Sequence, residues 1–251
     1  MSTVIAVAGK GGAGKTTFSA LLIRALLAEG HKPILAVDAD PNANLGTALG
    51  LKVEQTVGQV LEEFHGRKLT IPPGMSKQAF LELRLNQALV ESRGLDLLAM
   101  GRPEGQGCYC SANAVLRDTL ERLADNYRFV VLDNEAGMEH LSRRTAHRID
   151  ILIMVSDPSM KGVRTVKSLL ELVAELKLPV TKKFLVLNRA RELDPRLRAA
   201  AAELEIPLLG LAPEDPAVTE QDLAARSFLE LSASSAAGAV SAMVKTLGRE
   251  W

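Results

Sequence analysis

Apolar residues along this chain fall into two kinds of run: short unbroken ones, and longer ones in which they recur every three or four positions. The short runs, at residues 3–8, 33–37, 95–99, 128–132, 150–155, 182–187 and 206–210, are strand candidates. Most lack a polar alternation, as strands covered on both faces do. Between them lie helical patterns at 15–29, 76–90, 113–126, 162–176, 194–203, 216–226 and 232–247. Such alternation predicts an α/β fold, a doubly wound and mostly parallel sheet flanked by helices. Gly30 stands where the first helix should end, and Pro33 stops its continuation. No repeat, low-complexity segment or linker interrupts the pattern, so residues 1–251 read as one domain.

Composition adds exclusions. At 251 residues, 47% hydrophobic and 24% charged, the chain has enough apolar surface for a large core. Thirty basic residues balance thirty acidic ones, which gives no reason to expect nucleic-acid or membrane-surface binding. No apolar stretch approaches the roughly 20 residues of a membrane helix. The first residues enter a strand directly, Val4-Ile5-Ala6-Val7-Ala8, with no basic leader, and a cytoplasmic protein is expected. In a reducing compartment the only cysteines, Cys108 and Cys110, point to metal or redox chemistry before a disulfide.

The segment Gly9-Lys10-Gly11-Gly12-Ala13-Gly14-Lys15-Thr16-Thr17 satisfies G-x-x-x-x-G-K-[ST], with an apolar strand before it and a helix after it. Glycines let successive N–H groups curl around phosphate oxygens, and the helix start favours an anion. Lys15 is then expected at the β- and γ-phosphates of a nucleotide and the Thr16 hydroxyl at Mg²⁺.

Lys10 departs from most P-loops. The pattern G-K-G-G-x-G-K-T-T resembles the deviant Walker A family, which includes septum-site and plasmid-partition ATPases, the arsenite-pump ATPase and the nitrogenase iron protein. The resemblance implies that Lys10 crosses a two-fold interface to the partner's nucleotide in a homodimer, acting much as an arginine finger does. Two acidic segments follow apolar strands: Asp38-Ala39-Asp40-Pro41-Asn42-Ala43-Asn44-Leu45, and Asp133-Asn134-Glu135-Ala136-Gly137. Carboxylates at strand C-termini sit beside the ligand crevice of an open α/β sheet, although Asp also ends strands and caps helices. By resemblance Asp38 lies near the Mg²⁺ shell, Asp40 orients the attacking water, Asp133 holds Mg²⁺ through water, and Gly137 offers a backbone N–H to the γ-phosphate.

The guanine-reading pattern N-K-x-D is absent: Asn188 is followed by Arg189-Ala190-Arg191. The resemblance implies instead that Asn188 and the Pro213-Glu214-Asp215 turn frame an adenine, so ATP and ADP are the expected nucleotides. Asn188 as a simple strand-ending turn former is the plainer alternative.

Cys108-Tyr109-Cys110 can turn two sulfurs to one soft cation, and a symmetric dimer doubles them to the four thiolates of a closed site. Two inert cysteines are the alternative, while a disulfide across one residue is strained. Together with the P-loop, Asp38-to-Leu45 and Asp133-Asn134-Glu135-Ala136-Gly137-Met138-Glu139-His140, the C-x-C resembles the CooC-type accessory ATPases. The likeness covers roughly residues 3–220. It implies a nickel-insertion factor for carbon monoxide dehydrogenase or acetyl-CoA synthase, with Ni²⁺ or Zn²⁺ held by Cys108 and Cys110 of two subunits. Glu139 and His140 are less apt as ligands, and His31, His65 and His147 form no storage tract. Two other readings stay open. A spatial organiser would need a basic membrane anchor or DNA-binding patch, and residues 236–247 carry one lysine. A dimer-bridging iron–sulfur cluster is compatible with two cysteines per subunit.

Overall fold

The computed structural model describes residues 2–65, 71–101, 118–134 and 148–249. Among the described residues seven strands form one sheet: β1 Thr3–Gly9, β2 Ile34–Asp38, β3 Leu95–Ala99, β4 Phe129–Asp133, β5 Ile149–Ser156, β6 Val180–Asn188 and β7 Leu208–Ala212. Their order is β3-β2-β4-β1-β5-β6-β7, and every neighbouring pair is parallel. From β1 the chain runs outward to β2 and β3 on one side, returns to β4 between β2 and β1, then runs outward on the other side through β5, β6 and β7. The reversal at β1 opens a crevice at the C-terminal ends of the central strands.

Alternate residues of each apolar run serve opposite faces. Ile5, Val7, Ile34, Ala36, Phe129 and Val131 pack on one side with α1 (Lys15–Ala28), α2 (Asn44–Leu49) and α9 (Ser235–Leu247). Ala6, Ala8, Leu35, Val37, Val130 and Leu132 pack on the other with α3 (Val57–His65), α4 (Lys77–Gln87), the described part of α5 (118–124) and α6 (Met160–Glu175). α7 (Pro195–Ala202) and α8 (Pro216–Leu223) complete the flanks. The expected sheet is therefore present, and it is wholly parallel.

Local differences have identifiable causes. α1 is apolar on nearly every side, because α2, α9 and a 3₁₀ turn at Phe228–Glu230 surround it. It stops one residue earlier than the pattern extends. The Gly30 N–H reaches the Leu27 carbonyl and the His31 N–H the Leu26 carbonyl, the paired bonds of a Schellman close. β7 begins two residues later than the apolar run at 206–210, since Pro207 has no N–H to give a ladder. Two helices escaped the periodicity. α3 opens with a capping box in which Thr56 and Gln59 bond each other's backbone N–H. α2 has no side-chain cap at its own start; the Leu45 N–H is taken instead by Asp38, seven residues upstream.

Candidate functional site

Gly9 ends β1 with its Cα alongside Val155 of β5, and a Cβ placed there would lie 2.0 Å from the Val155 carbonyl oxygen. Only glycine fits. The loop then turns, with the Ala13 N–H on the Lys10 carbonyl, and enters α1 through Gly14 in the left-handed region, φ 82°. No side-chain cap closes this helix start, and no acid stands in its first turn. Such a terminus directs N–H groups and positive partial charge at an anion. Lys15 is buried, and its Nζ donates to the Lys10 carbonyl at 3.3 Å, folded across the loop's curl. Thr16 and Thr17 follow on the first turn.

Beside this loop stand the two strand-end carboxylates. Asp38 and Asp133 are register partners on adjacent strands, and both are buried. Asp38 accepts from the Asp40 N–H through Oδ1, at 3.1 Å, and from the Leu45 N–H through Oδ2, at 2.7 Å. Burial pushes its pKa up to about 7, helped by the charge of Asp133 and opposed by the two backbone bonds. Asp133 accepts from the Ser19 hydroxyl at 2.9 Å, with the Thr16 hydroxyl also close by. Its pKa is pushed up to about 6, chiefly by burial, with the two hydroxyls and Lys15 working against it. Two adjacent carboxylates out of water, each reluctant to ionise, fit a divalent cation that would compensate both.

The remaining expected residues are distributed unevenly. Asp40 lies on the loop after β2 with one oxygen engaged by the Asn42 backbone and side-chain N–H groups, at 2.8 and 2.9 Å. Lys10 reaches sideways to Asp157, just past β5, at 3.4 Å, with both side chains about one-third exposed. Asn188 donates to the Ala13 carbonyl at 2.8 Å, so the end of β6 is tied to the phosphate loop. A cavity of about 310 Å³ opens there, lined by Thr17, Asn188, Arg189, Pro213, Glu214 and Asp222 among others. A second, of about 280 Å³, adjoins it near Thr16, Thr47 and Arg226.

Asp215 borders the larger cavity, but its carboxylate is spent elsewhere. Oδ1 takes the Ala217 N–H, and Oδ2 takes the Ser234 and Ser235 hydroxyls and the Ala236 N–H. These bonds, that of Ser234 first, hold its pKa well below the usual carboxylate range and clamp the start of α8 to that of α9. Gly137, Cys108, Cys110, Glu139 and His140 lie outside the described residues. Among the described residues there is no group of three or more His, Cys, Asp or Glu apt to hold a metal, and no helix is long and apolar enough to cross a membrane. Sequence reasoning missed Ser19 and Asp157. Ser19 was within reach of it, lying three positions after Thr16 and so on the same helical face. Nothing in the sequence marks Asp157.

The glycine loop on a helix start, the lysine folded over it and the paired carboxylates at the sheet reversal together define a P-loop nucleotide-binding protein. Residues 4–228 match the CobQ/CobB/MinD/ParA nucleotide binding domain; the chain belongs to that family and is a P-loop ATPase. An uncharacterized ATP-binding protein of Methanocaldococcus jannaschii is 45% identical over 225 residues, 88% of each chain. The carbon monoxide dehydrogenase accessory protein CooC of Rhodospirillum rubrum is 33% identical over 254 aligned positions, 91% of this chain and 90% of its own. In structure, the cell division ATPase MinD of Pyrococcus furiosus superposes with a TM-score of 0.72 over the whole of both chains, at 24% identity.

Proposed function

We propose that this chain is a magnesium-dependent ATPase that serves as a nickel-handling maturation factor, working as a homodimer on carbon monoxide dehydrogenase or acetyl-CoA synthase. The observation that carries the client is the near full-length similarity to CooC, supported by the C-x-C pair that the residues show independently. The ATPase half of the reading draws on the site geometry. Gly9 to Gly14 and the start of α1 cradle the phosphates, with Lys15 on the β- and γ-phosphates and Asn188, Pro213 and the Asp215 backbone beside the base. The Thr16 hydroxyl and, through water, Asp133 hold Mg²⁺, with Asp38 close by; the ion neutralises charge on the phosphate oxygens. Asp40 orients a water that adds to the γ-phosphorus as the bond to the ADP oxygen breaks, giving ADP and phosphate. Gly137 lends an N–H to the γ-phosphate, and Lys10 serves the partner subunit's nucleotide.

In this scheme Cys108 and Cys110 of two subunits bind one Ni²⁺ or Zn²⁺ as cargo. Nucleotide alters metal affinity because the two ligands favour the same dimer arrangement. The test is direct. Cys108→Ala with Cys110→Ala should abolish one-per-dimer metal binding while nucleotide binding persists, and Lys15→Ala should abolish ATP turnover with metal binding intact. Stoichiometric Ni²⁺ in the double cysteine variant overturns the metal site. ATP-dependent co-sedimentation with liposomes or DNA, without metal uptake, would favour the spatial-organiser reading instead.

A further inference from the structure

α1 turns two hydroxyls toward one carboxylate. Thr16 and Ser19 stand three residues apart, hence on one face of the helix; Ser19 bonds Asp133, and Thr16 lies close to it. They differ in surroundings. Thr16 borders a cavity beside the phosphate loop, whereas Ser19 is completely enclosed and contacts no open space. A hydroxyl so placed cannot touch a nucleotide or a hydrated ion. Its proton goes to Oδ1 of Asp133, 2.9 Å away.

We propose that Ser19 is a positioning residue of the ATPase, fixing Asp133 in the one orientation from which that carboxylate serves the shell of a divalent cation. The inference rests on the Mg²⁺–nucleotide reading above and adds a part to it. A carboxylate's terminal torsion is broad, so one donor on one oxygen decides where the other oxygen goes. Donors placed behind a metal-binding carboxylate commonly govern affinity for the ion more than affinity for the rest of the ligand. Ser19 has no such role for the phosphates themselves, since its enclosed hydroxyl reaches Asp133 and no open space.

The experiment measures ADP affinity by calorimetry, once in EDTA and once in saturating Mg²⁺, for the full chain. Ser19→Ala should bind ADP in EDTA as the parent does and lose about tenfold of the gain that Mg²⁺ brings. Ser19→Cys, which keeps the volume with a weaker donor, should fall between, and it carries the test should the alanine variant fail to fold. In an Asp133→Asn background, Ser19→Ala should cause no further loss. A full Mg²⁺ gain in Ser19→Ala, an equal loss with and without Mg²⁺, or additive losses with Asp133→Asn would each overturn the positioning role. A parent protein whose ADP affinity ignores Mg²⁺ would instead overturn the nucleotide reading on which it rests.

Discussion

Asp38 and Asp133 should make the ligand-free protein less stable as pH rises from 5 to 8. The pKa of Asp38 is about 7 in the fold against 3.8 ordinarily, and that of Asp133 about 6. Between those limits the folded chain holds protons that the unfolded chain has released. Folding therefore takes up protons in this window, and stability declines with rising pH until the folded-state pKa values are passed. The whole shift of Asp38 is worth on the order of 4 kcal/mol, and the part of it that falls between pH 5 and 7 roughly 3 kcal/mol. The assay is urea unfolding in EDTA at pH 5, 6, 7 and 8 for the parent and for Asp133→Asn. The asparagine keeps an acceptor for Ser19 and removes the charge beside Asp38, so its curve should be flatter. His31 acts in the opposite sense, because burial and Arg128 lower its pKa, but it is common to both proteins and cancels in the difference. Mg²⁺ with ADP should flatten the parent's curve by compensating the pair. A parent stability that is level or rises from pH 5 to 7.5, or a variant that tracks it, refutes the reasoning.

Two further outcomes follow from individual bonds. Asp157→Asn keeps an acceptor for Ser159 and frees Lys10 from a partly exposed ion pair worth at most about 1 kcal/mol. ATP-dependent dimerisation, followed by analytical ultracentrifugation, should then occur at a protein concentration up to about fivefold lower, and weaker dimerisation would count against the reading. Asp215→Ala strands two hydroxyls and two backbone N–H groups at the starts of α8 and α9. Unfolding free energy should drop by roughly 3 kcal/mol, with a change under 1 kcal/mol as the contrary result.

The sequence was most legible where one local rule decides structure. The phosphate loop requires glycine at Gly9 because Val155 leaves no room for a side chain, and the motif displays that need openly. Apolar runs marked all seven strands, most plainly β2 and β4, where every residue is buried and little polarity confuses the period. What stayed hidden depends on residues distant in the chain. The cap of α2 comes from Asp38, the orientation of Asp133 from Ser19, and the resting partner of Lys10 from Asp157, 147 positions away. Asp215 was expected beside a base; it borders a cavity, and its carboxylate is committed to two helix starts that no spacing rule connects. The Thr56–Gln59 capping box was readable and went unread.

The double duty of Asp38 has a mechanical consequence. Its two oxygens each accept one N–H, from Asp40 and from the first turn of α2, and each keeps a lone pair to spare. The backbone of 39–45 is therefore what aims this carboxylate at the strand tip, and a change in that segment would re-aim it.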